Sequence, residues 1–228
     1  QGERRPRGPP DLDEETRSLT MALRYLTVLV AAMLAASPPA ARGATLLVDP
    51  AGGGDFADIQ SALDAASDGD EVRVLPGEYV IARPLDFNRL HDPEDPQSPP
   101  PRDLTLASRD GPERTTIRMS PAPDSPTAAS VIVFLSRESS RSTLRGFTLR
   151  GGRGSASAQG GWAAGGGIFL GADASPAIQE CRIEGNSAEV GGGVYCGPGA
   201  GPAIERCTIA GNAAERGGGA FADVGSAP

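Results

Sequence analysis

Residues 181–221 read CRIEGNSAEVGGGVYCGPGAGPAIERCTIAGNAAERGGGAF and state one pattern twice. Cys181, Ile183, Gly185, Asn186, Ala188 and the triplet Gly191-Gly192-Gly193 return 26 residues later. Their counterparts are Cys207, Ile209, Gly211, Asn212, Ala214 and Gly217-Gly218-Gly219. An imperfect copy precedes them: Leu144, Phe147, Leu149 and Gly151 align with Ile178, Cys181, Ile183 and Gly185 at an offset of 34. Gly165-Gly166-Gly167 restores the offset of 26, so the eight extra residues fall within GRGSASAQGGWAA and are expected to form a longer loop. A period in the twenties is too short for a helical-pair repeat and suits stacked short strands.

Parallel strands stack about 4.7–4.9 Å apart, so one turn of chain per repeat would place equivalent residues directly over one another. Leu149, Ile183 and Ile209 then form one apolar row, and Phe147, Cys181 and Cys207 another. No repeat buries its own face, so stability has to come from its neighbours. Asn186 and Asn212 suit tight turns, because Asn tolerates the left-handed region, and their stacked amides can hydrogen-bond along the stack. Their role is read as structural. Cys181 and Cys207 would be close enough for a disulfide, but in-register side chains point the same way, so two buried thiols are expected.

Upstream, TLLVDPAGGGDFADIQSALDAASDGDEVRVLPGEYV (45–80) opens with a short strand, Thr45 to Val48. Asp55 is expected to cap a helix with Phe56, Ile59, Leu63 and Ala66 on one face. Val72 and Val74 alternate into the turn at Pro76-Gly77, and further alternating pairs follow at Leu104/Leu106, Ile117/Met119, Val131/Val133 and Phe147/Leu149. Residues 88–103, polar and Pro-rich, read as an excursion loop. Asp92, Glu94 and Asp95 carry the oxygens that calcium takes, but they lack the glycine and regular acid spacing of a calcium loop. The loop is read as solvated, with no metal and no cofactor. His91, the only histidine, lies in it without an implied Ser or Cys partner.

At the other end, residues 21–44 read as a secretory signal peptide: Arg24, then a 12-residue apolar run from Tyr25 to Ala36, then small residues from Ala40. That run is too short to span a bilayer. Residues 1–20 are charged and Pro-rich, and are expected to be disordered or untranslated upstream sequence. Residues 45–228 carry 24 acidic residues and 15 arginines, a formal balance of −9. Such a chain has no electrostatic reason to bind nucleic acid or an anionic membrane face. Pro176, Pro202 and Pro228 are spaced 26 apart, so the chain stops on the first letter of another repeat, as a C-terminally truncated fragment would. Membrane association is expected only through a C-terminal segment beyond it.

With these residues in view, the chain resembles the right-handed parallel β-helix of the pectate-lyase-like superfamily. GGGDFADIQSALDAASDGDEVRVLPGEY is similar to its N-terminal capping helix and first turn of helix. The IxxCxIxGNxAxxGGG units are similar to repeats of bacterial surface and polymorphic outer membrane proteins. The resemblance implies an all-β solenoid over 45–228 with one short N-terminal capping helix. It also implies an exported cell-surface protein with a structural, adhesive or glycan-binding role. The alternative is a polysaccharide lyase, hydrolase or epimerase whose catalytic part is missing or unrecognised. Polygalacturonases of that group carry an NTD, a paired-Asp and an HG motif, none of which is present here. Glu180, Arg182 and Glu184 alternate outward around Cys181 and Ile183 as a mixed-charge face, where Arg182 would act as a base only if strongly perturbed.

One row suggests a binding surface. If the smaller residues after each glycine triplet point inward, Phe169, Tyr195 and Phe221 form an outward aromatic ladder. Rings so placed either stack on sugar faces or cover one another.

Overall fold

The computed structural model describes residues 43–92, 95–157 and 161–228. The readings of residues 1–20 and 21–42 and of Glu94 lie outside these. Among the described residues the chain is nearly all strand, with a single helix, Ile59–Ala65. The strands form four sheets, and each full repeat contributes one strand to each. In one repeat these are Ala177–Gln179, Arg182–Glu184, Ser187–Val190 and Val194–Cys196, which define the first to fourth sheets in chain order. Each pairs in parallel with the strand 26 residues on. The result is all-β, built of stacked parallel sheets and compatible with a β-helix.

Register explains why apolar residues recur as they do. In the first sheet Leu46, Val72, Leu106, Leu144, Ile178 and Ile204 stand one above another. The second sheet stacks Tyr79, Ile117, Leu149, Ile183 and Ile209. The fourth stacks Leu85, Ile132, Ile168, Val194 and Ala220. Except for the exposed Ala220, these rows form the main core, joined by Phe147, Cys181 and Cys196, with Leu46, Ile204, Cys207 and Ile209 packed at its margin. Each fully buried Leu, Ile or Val contributes roughly 1.5–3 kcal/mol. The three cysteines are free.

Local chemistry departs from the sequence expectation in three places. The helix is capped by Asp58, whose carboxylate accepts from the Ser61 N–H at 2.8 Å, rather than by Asp55. Asp55 instead accepts from the Leu47 N–H at 2.9 Å, and Phe56 bridges Val48, so both belong to the strand side of the junction. The left-handed turn residues are Gly185 (φ 64°) and Gly211 (φ 63°), and the asparagines after them act through their amides. Asn186 Nδ2 donates to Asn212 Oδ1 at 3.0 Å and to Leu149 O at 3.0 Å, while its Oδ1 accepts from the Gly152 N–H at 2.9 Å.

The third departure is the eight-residue insertion. It places an extra strand, Gly154–Ala156, in the third sheet beside the repeat's own strand Ala163–Ala164, which keeps the offset of 26 by pairing Ala164 with Val190. Gly154–Ala156 runs antiparallel both to Ala128–Ala129 and to Ala163–Ala164. In the fourth sheet the corresponding strands, Ile132–Phe134 and Ile168–Leu170, pair directly. One sheet therefore holds an extra strand where its neighbour holds none.

No helix among the described residues is long and apolar enough to cross a membrane.

Candidate functional site: a hollow at the end of an aromatic row

Strand alternation sends Ile168 and Leu170 into the main core and Phe169 to the opposite side of the fourth sheet. Register then aligns Asp86, Val133, Phe169, Tyr195 and Phe221 in one outward row. The Phe169 and Tyr195 rings stack with centroids 5.2 Å apart, and Tyr195 and Phe221 at 6.0 Å. The middle of this row is not open to solvent. Tyr195 is 1% exposed, inside a second apolar cluster with Ala164, Val190 and Trp162. The Arg216 guanidinium lies 4.8 Å from the Trp162 ring centroid and 5.8 Å from that of Phe221, a cation–π cover for that end. Tyr195 O–H donates to Asp223 Oδ2 at 2.9 Å. Burial first, and then this bond, push the phenol pKa well up, so the ring stays neutral.

The other end of the row opens. Asp86, Val133 and Phe169 form the floor of a cavity of about 470 Å³. Arg83, Pro84, Ser125, Thr127 and Ala128 also line it. Ser155 and Ala156 of the inserted strand and the half-exposed Leu135 complete it. The origin of the hollow is the extra strand. It sets Ala129 and Ala164 two strand spacings apart in the third sheet, against one spacing for Ile132 and Ile168 in the fourth. The difference is about 4.8 Å.

Charge at the rim is balanced in pairs. Arg83 Nε contacts Asp124 Oδ2 at 2.6 Å across the mouth, and Arg89 pairs with Asp64. Asp86 is the exception, because burial raises its pKa. The Asn88 N–H, 2.9 Å from Oδ1, and the nearby Arg89 pull it back, and the Asp64 carboxylate adds to the rise. Behind it, Asn88 Nδ2 donates to Glu138 Oε1 at 3.3 Å, and Asn88 Oδ1 accepts from the Arg102 N–H at 2.8 Å. Glu138 is 2% exposed, and burial raises its pKa as well.

No protein-family model, curated protein or solved structure matches the chain.

The two raised carboxyls predict a pH effect. A carboxyl whose folded pKa lies above its unfolded value favours folding below about pH 4, and that contribution fades as pH rises through the folded value. Glu138→Gln removes the Glu138 share. The urea midpoint of the variant relative to wild type is expected to rise between pH 4 and pH 7. A constant difference across that range would contradict the assignment.

Arg83, Asp86, Asp124 and Leu135 belong to no motif. The one signal in the sequence was the alternation Leu85-Asp86-Phe87, in which both flanking residues are buried and Asp86 takes the outer face. His91 borders a separate hollow of about 660 Å³ with Ser136 and Arg137, and its Nδ1 lies 2.9 Å from Pro99 O. Asp95 Oδ1 accepts from the Gln97 N–H at 2.9 Å. Among the described residues no three His, Cys, Asp or Glu side chains converge as a metal site would require. Glu180 pairs outward with Arg206 at 3.1 Å, and Arg182 with Glu113 at 2.6 Å, both at exposed positions.

Proposed function

We propose that residues 45–228 form a right-handed parallel β-helix, a solenoid of the pectate-lyase-like kind, that is exported and binds carbohydrate at the cell surface. The four-sheet register and the 26-residue period support the solenoid. The signal-peptide pattern at 21–44 supports export. The observation that carries the binding role is the concave cavity rimmed by carboxyl, guanidinium and hydroxyl groups, with Phe169, 6% exposed, in its lining. An aromatic ring offers a face to the C–H side of a pyranose, and a few convergent polar groups set its orientation.

The test is binding of the full chain to a panel of immobilised polysaccharides. Phe169→Ala is expected to weaken binding at least tenfold. Because Phe169 also stacks on Tyr195, Arg83→Gln at the exposed rim serves as a second variant that leaves the core intact. Absence of binding to every member of the panel would reject the carbohydrate role.

A second reading, polysaccharide cleavage, is favoured by one observation, the raised pKa of Asp86. A carboxyl whose pKa is raised by burial holds its proton to higher pH than an exposed one, the direction that donating a proton to a glycosidic oxygen requires. If it does so, Asp86→Asn abolishes release of new reducing ends while binding persists. Release at the wild-type rate by the variant excludes this role.

A further inference from the structure

We infer that the sugar held in the cavity carries an apolar acyl substituent, seated against Val133, Leu135 and Phe169; this rests on the carbohydrate reading. Alternation along a strand with a solvent-facing side calls for polar residues at outward positions. Here Val133, Leu135 and Phe169 are all outward and apolar; Val133 and Phe169 are 4% and 6% exposed at the base of the hollow, and Leu135, with Pro84, Ala128 and Ala156, carries the lining out to the mouth. Leu135 is 53% exposed, one of few large hydrophobic residues left open, and it stands at this mouth.

A bare pyranose would use this surface poorly. Its C–H face needs one ring to stack on, whereas its hydroxyls, turned toward Val133 and Leu135, would lose water with nothing to bond. An acyl group offers methyl or methylene carbons to the floor. Ser125 Oγ and Thr127 Oγ1 lie 3.0 Å apart and share one hydrogen bond, which leaves the second hydroxyl proton for the acyl carbonyl oxygen. A sugar carboxylate fits less well, because both guanidinium groups of the lining are already paired, Arg83 with Asp124 and Arg89 with Asp64. The same burial that raises the Asp86 pKa disfavours a second anion beside it.

The experiment pairs each polysaccharide of the panel in its native, O-acetylated form with the same material after mild alkaline de-esterification. The full chain is expected to bind acetylated members about tenfold more tightly than their treated counterparts, because apolar carbon is removed from water only in the first case. Leu135→Ser, a change at an exposed position with the fold checked by its urea midpoint, is expected to bring the acetylated members down to the level of the treated ones. Equal or tighter binding of the treated forms overturns the acyl assignment and leaves carbohydrate binding standing. Binding to neither form of any member overturns both.

Discussion

Alanine at Gly192 is expected to cost at least about 3 kcal/mol and to leave the chain largely unfolded in mild urea. A Cβ at that position would lie 2.3 Å from Ala213 O and 2.8 Å from Gly218 O. Both are backbone atoms of the next repeat, held there by the hydrogen bonds that stack the sheets. Gly192 N–H donates to Gly217 O, and Gly193 N–H to Gly218 O. Relief would require separating two repeats along a line where every strand pairs at the ordinary spacing. A second glycine provides the comparison. Gly185 has φ 64°, but its Cβ would meet nothing within 4 Å. Gly185→Ala therefore carries only the left-handed penalty, about 1–2 kcal/mol. Urea denaturation of the two variants separates close approach from backbone conformation, and equal losses would refute the distinction.

Asn186→Ala should be nearly as damaging, at about 2–4 kcal/mol. The side chain is 2% exposed and satisfies groups on both sides of its own repeat. Without it, the Gly152 N–H and Leu149 O behind lose this partner, and Asn212 Oδ1 ahead keeps only the bond from the backbone N–H of residue 186. A buried polar group left unsatisfied costs about 1–3 kcal/mol, and relaxation recovers part of the total. Asn186→Asp is a sharper probe, since a carboxylate keeps the acceptor for Gly152 but offers Leu149 O no proton when ionised. Its urea midpoint should therefore recover as the pH is lowered toward the carboxylate pKa. An alanine variant as stable as wild type would mean that the amide row contributes nothing.

The apolar rows were legible because identical spacing writes them directly: Leu149, Ile183 and Ile209 stand where their intervals place them. The helix cap was harder. Asp55 and Asp58 both precede the same apolar pattern, and the choice was made by Phe56 pairing with Val48, a contact that no local rule contains. The hollow was not legible at all. Arg83 and Asp124, which face each other across its mouth, are 41 residues apart. Ile132 meets Ile168 only because an inserted strand is absorbed by the adjacent sheet. Repeats of unequal length conceal their register, and with it every contact that depends on register. The outward row was readable at its aromatic end, where lengths are equal, and unreadable at Asp86, where they are not.

That inserted strand has a consequence for how such a molecule changes over time. It lies between Gly152 and Gly166, and the Gly152 N–H is held by Asn186 from the far side, so the stack closes over the insertion as if nothing had been added. A longer, shorter or differently charged insert would reshape the hollow while the rows beneath it stayed in place. The shape of the hollow and the stability of the stack are then free to drift separately, one along the insert and the other along the glycine and asparagine columns.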